Sequence, residues 1–63
     1  MLTPRERQVM ELLSQGWAAK EVARHLGISK RTIDFHVAKV YSKLGSHNRI
    51  QAFRRLKELG VTL

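Results

Sequence analysis

Four glycines divide this sequence into four short helical segments, and this division constrains the fold more than any other feature. They stand at positions 16, 27, 45 and 60. Between them, apolar residues recur at spacings of three and four, and no stretch of useful length alternates with period two. A glycine directly after such a segment is typical of a helix C-terminus. We therefore expect an all-α fold, a compact four-helix domain that spans residues 1–63.

Capping residues predict where three of the four helices begin. In "LTPRERQVMELLSQG", Thr3 suits an N-cap and Pro4 the first helical position, while Glu6 completes a capping box. The third helix, about 30–44, follows Ser29, and the fourth, about 49–59, follows Asn48. The second, roughly 19–26, follows Ala18, whose methyl group accepts no hydrogen bond, at a cost of about 1 kcal/mol.

The second and third segments form a helix-turn-helix pattern over about 19–44. The turn between them is "GIS", in which Gly27 permits the positive φ that a sharp turn needs. Ala23 is small enough for two helices to cross closely. Ile28 and Ile33 are placed to fill the corner between the helices.

The third helix has two faces of different character. Its apolar face carries Ile33, Val37, Val40 and Leu44. At about 100° per residue, the opposite face carries Arg31, Phe35, Ala38 and Ser42, flanked by Asp34 and Lys39. A phenylalanine on the polar face calls for an explanation, and two are open. Either Phe35 is exposed to contact a ligand, or it folds back onto a neighbouring helix.

The mixture on this outer face suits the major groove of DNA. Arg31 is able to donate to guanine, and Asp34 to accept from a cytosine amine. Phe35 and Ala38 offer apolar contacts to thymine methyl groups. The small Ala38 would also let the helix sit deep in the groove.

The charge balance favours a polyanionic partner. Twelve Lys and Arg stand against five Asp and Glu, which gives a net charge of +7 and a pI near 11.0. Between residues 29 and 58, only Asp34 and Glu58 oppose eight basic residues: Lys30, Arg31, Lys39, Lys43, Arg49, Arg54, Arg55 and Lys57. Nucleic acid is the first interpretation, ahead of acidic lipid or an acidic protein patch.

Other classes of protein are disfavoured. The sequence has no cysteine and no apolar run of about 20 residues, so we expect no disulfide, no thiolate metal site and no membrane span. The three histidines, His25, His36 and His47, lie 11 residues apart in each step, and none is followed by Glu or Asp at a ligand spacing such as i+4. We expect no metal, no cofactor and no enzymatic activity. A membrane-surface helix is also disfavoured, because capped turns separate the basic and apolar segments.

Three stretches together resemble the LuxR-type DNA-binding domain (GerE or NarL/FixJ-like) of bacterial transcription regulators. They are "LTPRERQVMELLSQG", "KEVARHLGISKRTIDFHVAKVYSKLG" and "NRIQA", and the resemblance runs from Leu2 to about Gly60. It implies a four-helix effector domain that binds double-stranded DNA in the bacterial cytoplasm, at the nucleoid, commonly as a homodimer on inverted repeats. RNA polymerase is a further candidate partner. The chain would be either a stand-alone regulator or the C-terminal part of a larger one.

The outer face and the resemblance together predict three sets of residues. The predicted base contacts are Arg31, Asp34, Phe35, Ala38 and Lys39. The predicted phosphate contacts are Lys20, Lys30, Thr32, Lys43, Asn48 and Arg49. Apolar residues spread widely over the fourth helix, which the resemblance associates with a weak or DNA-induced homodimer; the predicted dimer residues are Ile50, Phe53, Arg54 and Lys57.

The sequence departs from the family pattern at two places. Ala18 and Ala19 stand where members usually have Ser or Thr with Asn, so a helix cap and one backbone contact are missing. Asp34 stands where many members carry Lys, so it faces repulsion from phosphate unless it contacts a base. Two other functions remain open: a domain like region four of bacterial sigma factors, and a basic protein-interaction module.

Overall fold

The computed structural model describes residues 2–63, and within this range it contains four helices and no strand. The helices are α1 (Pro4–Ser14), α2 (Ala19–Leu26), α3 (Lys30–Leu44) and α4 (Arg49–Glu58). The all-α prediction is confirmed, with α2 and α3 forming the helix-turn-helix. None of the helices in residues 2–63 is long and apolar enough to cross a membrane.

The start of α1 is fixed by a reciprocal capping box. Thr3 Oγ1 accepts from the Glu6 N–H at 3.1 Å, and Glu6 Oε1 accepts from the Thr3 N–H at 2.9 Å. Pro4 occupies the first turn, where its missing N–H leaves no hydrogen bond unmade. The predicted capping box is therefore confirmed.

The start of α2 has only half of this arrangement. Glu21 Oε1 accepts from the Ala18 N–H at 2.8 Å, but Ala18 has no side-chain acceptor for the first-turn N–H groups. Its backbone is nevertheless extended, with φ −75° and ψ 154°, as an N-cap requires. The geometry of a cap is present without its hydrogen bond.

Ala18→Ser is expected to raise the unfolding free energy by about 1 kcal/mol, because the serine hydroxyl can accept from the first turn of α2. Urea denaturation monitored by circular dichroism measures this change. Ala19→Ser is the matched control, since residue 19 already lies inside α2. An unchanged denaturation midpoint for Ala18→Ser would show that the first turn is satisfied in another way.

The core lies where all four helices meet. Its buried apolar residues are Val9, Met10, Leu13, Val22, Ala23, Ile33, Val40, Ala52 and Leu56. The corner of the helix-turn-helix packs against this cluster through the partly buried Ile28. Gly27 turns the chain there with a φ of +70°. Residues other than glycine adopt this left-handed backbone conformation only at an energetic cost. The core thereby fixes the position of α3, which packs against each of the other three helices.

Candidate nucleic-acid interface

The two faces of α3 differ in exposure as its sequence predicts. Ile33 and Val40 are fully buried, and Val37 and Leu44 are partly buried. On the outer side, Phe35 is 59% exposed, and Arg31 and Ala38 are exposed as well. The ring of Phe35 does not fold back onto a neighbouring helix. The outer face of α3 therefore offers an aromatic side chain to a partner.

Two residues of α3, Lys39 and His36, lie beside the ring of Phe35. Lys39 Nζ lies 5.4 Å from the centroid of the ring, within the range of a cation–π interaction. The His36 ring centroid lies 6.1 Å away. The outer face thus combines an apolar surface with a positive charge beside it.

Asp34 lies on the edge of this face and forms an ion pair. Lys30 Nζ lies 2.9 Å from Asp34 Oδ2, one helical turn away, and both side chains are more than half exposed. An exposed pair of this kind stabilises a helix by less than about 1 kcal/mol. The Lys30 ammonium also offsets the negative charge of Asp34 on this face.

The first turn of α3 uses Thr32 in its cap. Ser29 Oγ accepts from the Thr32 N–H at 3.1 Å and lies 2.9 Å from Thr32 Oγ1. The predicted phosphate residue Thr32 is thus already hydrogen-bonded within the domain. Lys20 and Lys30 are both exposed, each within the first turn of its helix.

Lys43, another predicted phosphate residue, is engaged with the core of the domain. Its Nζ lies 2.6 Å from Glu6 Oε1, and the Glu6 side chain is only 2% exposed. This ion pair joins the last turn of α3 to the first turn of α1. Lys43 would have to leave Glu6 to reach a phosphate, so its observed contact is structural.

Glu6 is ionised at neutral pH in spite of its burial. Burial raises the pKa of this carboxyl, but the hydrogen bonds from Lys43 and from the Thr3 N–H lower it, as do the positive charges of Lys43 and Lys39. The lowering effects are the larger, so the pKa of Glu6 lies below its ordinary value. Sequence reasoning identified Glu6 as a capping residue and missed the ion pair, whose partners lie 37 positions apart.

The start of α4 is capped by a predicted phosphate residue. Asn48 Oδ1 accepts from the Gln51 N–H at 2.9 Å, so its side chain also serves the fold. Arg49 follows it and is exposed. This leaves Lys20, Lys30 and Arg49 as predicted phosphate contacts near the N-termini of three helices.

The four predicted dimer residues follow one edge of α4. Ile50 is 81% exposed, the most exposed large apolar side chain among residues 2–63. Phe53 is partly buried, and Arg54 and Lys57 are exposed. Lys57 and Phe53 also border an open groove that the C-terminal residues Val61 and Leu63 help to line.

The three histidines do not come together. His25 contacts the Trp17 ring edge-on, with 5.0 Å between ring centroids, and His36 lies beside Phe35. In the part of the chain that the structure describes, no group of three histidine, aspartate or glutamate side chains is arranged to hold a metal ion.

The sequence matches the family model described as bacterial regulatory proteins, luxR family, over residues 1–56. The spore germination protein GerE of Bacillus subtilis is 43% identical over 60 residues, which cover 95% of this chain and 81% of that protein. The transcriptional regulatory protein UhpA of Escherichia coli is 49% identical over 55 residues. Those residues cover 87% of this chain but only 28% of UhpA, so the chain spans about a quarter of that relative's length.

Two solved structures have the same fold. The transcription factor GerE superposes with a TM-score of 0.89 at 37% identity, covering 95% of this chain and 90% of that one. The response regulator ChrA, of a heme-sensing two-component system, superposes with a TM-score of 0.90 at 32% identity, covering 98% of this chain and 31% of that one. The family consists of regulators rather than enzymes. Because residues 1–56 match this family, the alternative of a domain like region four of sigma factors is not supported. This chain therefore belongs to the LuxR family of bacterial regulatory proteins. It has the helix-turn-helix DNA-binding domain that is found in the transcription regulators of this family.

Proposed function

We propose that this domain binds duplex DNA sequence-specifically, with α3 in the major groove and its outer face against the base edges. The observation that carries this proposal is the exposure of Phe35, 59% of whose surface faces solvent on a helix whose reverse side is fully buried at Ile33 and Val40. An exposed phenylalanine is uncommon in a small domain with a thin core. Contact with DNA bases would bury it.

The base contacts would come from one side of α3. Arg31, Phe35 and Ala38 follow one another at spacings of four and three, so they lie along one face of the helix. Asp34 and Lys39 lie on either side of this row. A major groove admits one helix and presents a distinct pattern of donors, acceptors and methyl groups for each base pair.

The phosphate contacts would come from the ends of the helices. Lys20, Lys30 and Arg49 lie near the N-termini of α2, α3 and α4, and all three are exposed. Helix N-termini attract phosphate through their free N–H groups and the helix dipole. Contacts of this kind set the position of α3 on the duplex and carry no sequence information themselves. Thr32, Lys43 and Asn48 are weaker candidates, since Thr32 and Asn48 take part in helix caps and Lys43 pairs with a buried acid. The pair of Lys30 with Asp34 is exposed, so the Lys30 ammonium remains accessible to a phosphate.

The experiment that tests this function is selection from a random-sequence duplex pool at two salt concentrations, followed by sequencing of the bound DNA. An enriched motif at both concentrations supports a sequence-specific reader. Retention without a motif would mean that the positive charge binds only the DNA backbone. No retention at low salt would contradict DNA binding by this chain and favour the protein-interaction alternative.

We also propose that two copies of the domain associate weakly on DNA through the edge of α4 that carries Ile50, Phe53, Arg54 and Lys57. The support is the 81% exposure of Ile50 beside the partly buried Phe53. Arg54 and Lys57 would meet like charges from the second copy, which opposes association in free solution. The polyanionic duplex would offset this repulsion, so the dimer would form on DNA.

Sedimentation velocity tests the dimer. The free domain is expected to sediment as a monomer, and two copies are expected on a duplex that contains an inverted repeat of the selected motif. Ile50→Asp is expected to reduce this to one copy per duplex, whereas Leu59→Asp, at an exposed apolar position outside this edge, is the control. One copy of the wild-type domain per inverted repeat would contradict the proposal.

RNA polymerase is a further proposed partner. We also propose that the domain acts in the bacterial cytoplasm, at the nucleoid. A regulator of transcription must alter either the access or the activity of the polymerase, so a contact between the two is the simplest mechanism of activation. Gel-shift titration of the selected duplex checks this. The polymerase should bind more tightly when the domain is present, and an unchanged affinity would argue against a direct contact.

A further inference from the structure

An acid directly precedes the exposed aromatic residue of α3, and the two side chains together match an unusual base. We propose that Asp34 and Phe35 form a reader for 5-methylcytosine in the major groove. This inference rests on the proposed function and names the base that one part of the site takes.

Phe35 supplies the apolar half of this reader. Its ring is 59% exposed on the outer face of α3, and the Lys39 ammonium 5.4 Å from its centroid favours one position of the ring. The apolar group that a base pair offers in the major groove is a methyl group at C5 of a pyrimidine. Thymine always carries it, and cytosine gains it on methylation.

Asp34 supplies the polar half and distinguishes between these two pyrimidines. Lys30 engages Asp34 Oδ2 at 2.9 Å, and no other partner for this carboxylate occurs among the described residues, so Oδ1 is free to accept. An ionised carboxylate accepts hydrogen bonds and donates none. Next to C5, cytosine presents its amino donor, whereas thymine presents the O4 acceptor, which a carboxylate repels.

One pyrimidine offers both the methyl group that Phe35 would contact and the amino donor that Asp34 would accept from. Unmethylated cytosine has the donor without the methyl group, and thymine has the methyl group beside an acceptor. Only 5-methylcytosine places a donor and a methyl group side by side. Asp34 and Phe35 are consecutive residues of α3 that project about 100° apart, so they would approach the amino group and the methyl group of one base from two sides. Lys30 also removes the objection to an acid at this surface, because its ammonium offsets the charge that phosphate would repel.

The test begins with random-sequence duplex pools copied with either dCTP or 5-methyl-dCTP. Fluorescence anisotropy on the selected duplex then compares cytosine, 5-methylcytosine and thymine at each cytosine position, every base with its complementary partner. At one position, methylation is expected to raise affinity about fourfold, the effect of burying one methyl group. Thymine there should bind roughly tenfold more weakly than 5-methylcytosine, because the hydrogen bond to the amine is lost.

Two variants separate the contributions of the two side chains. Phe35→Ala should abolish the gain from methylation, whereas Asp34→Ala should retain this gain and lose most of the discrimination against thymine. The control is Leu59→Ala, which alters an exposed apolar residue just after α4. It should bind the three duplexes with the affinities of the wild type. Circular dichroism verifies that each variant is folded.

Two results would overturn the 5-methylcytosine reader while the proposed function stands. In the first, no cytosine position gains affinity on methylation, although the selected duplex is still preferred over a scrambled one. In the second, the gain survives Phe35→Ala, so that another group senses the methyl. Absence of sequence preference in both pools would instead overturn the proposed function, and this inference with it.

Discussion

Lys43→Met is expected to lower the unfolding free energy by about 3 kcal/mol, because it leaves the carboxylate of Glu6 buried without its cation. Glu6 is only 2% exposed, and among residues 2–63 its one charged partner within salt-bridge distance is Lys43 Nζ at 2.6 Å. A domain of this length has a total stability of roughly 3–9 kcal/mol at 0.05–0.15 kcal/mol per residue. A loss of about 3 kcal/mol would leave between roughly zero and 6 kcal/mol, so urea denaturation should find a clearly lower midpoint for the variant.

Lys30→Met is the matched control for this effect. It removes the same ammonium from an ion pair of similar length, 2.9 Å, but both partners there are more than half exposed. Its expected cost is below about 1 kcal/mol. Adding Glu6→Gln to Lys43→Met should recover part of the loss, since the neutral amide still accepts from the Thr3 N–H. Equal effects of the two methionine substitutions would contradict a special role for the Glu6–Lys43 pair.

The same pair should make the stability of the domain depend on pH. Because the folded-state pKa of Glu6 is lowered, its contribution is fully present above the unfolded-state pKa. It is lost as pH falls through the lowered folded-state pKa. The stability difference between wild type and Glu6→Gln should therefore shrink on acidification, as urea denaturation at several pH values will measure. A difference that stays constant would contradict the lowered pKa.

Binding to DNA is expected to weaken about 40-fold per domain when salt rises from 50 to 200 mM. This follows if three cations contact phosphate, since log K falls by about 0.9 per contact for each decade of salt. The three are Lys20, Lys30 and Arg49, the exposed cations near the starts of α2, α3 and α4. Anisotropy titrations on the selected duplex at several salt concentrations give the slope, which should be near −2.7.

Single substitutions make the salt prediction specific. Arg49→Ala should reduce the slope by about 0.9, whereas Arg55→Ala, whose side chain pairs with Glu58 near the end of α4, should leave it unchanged. A wild-type slope near −3.6 would instead mean that Lys43 leaves Glu6 to contact a fourth phosphate. A slope close to zero would contradict phosphate contacts altogether.

The local elements of this fold could be predicted from the sequence because each signal acts over a few residues. The Thr3–Glu6 capping box and the left-handed Gly27 turn depend on neighbours within four positions, and both are observed as expected. Helical periodicity placed Phe35 opposite Ile33 and Val40 but left open whether its ring folds back onto a neighbouring helix, and the structure shows the side chain 59% exposed.

Features that depend on tertiary packing could not be read in this way. The ion pair between Glu6 and Lys43 joins residues 37 positions apart, and nothing local marks either partner. Met10 is fully buried because α1 packs against both α2 and α3, and no short-range pattern reveals this packing. Asn48 caps α4 as its position predicts, and the Thr32 hydroxyl lies 2.9 Å from that of the Ser29 cap, so both predicted phosphate residues are engaged within the domain.

The most direct test of the central claim, that the outer face of α3 reads bases, compares Phe35→Ala with wild type on two duplexes of equal length at one salt concentration. One duplex carries the selected motif and the other a scrambled sequence. We predict that Phe35→Ala weakens binding to the selected duplex roughly tenfold, the effect of losing one base contact, and leaves the scrambled duplex unaffected. Equal affinity of the variant and the wild type for the selected duplex would contradict the claim, as would an equal loss on both.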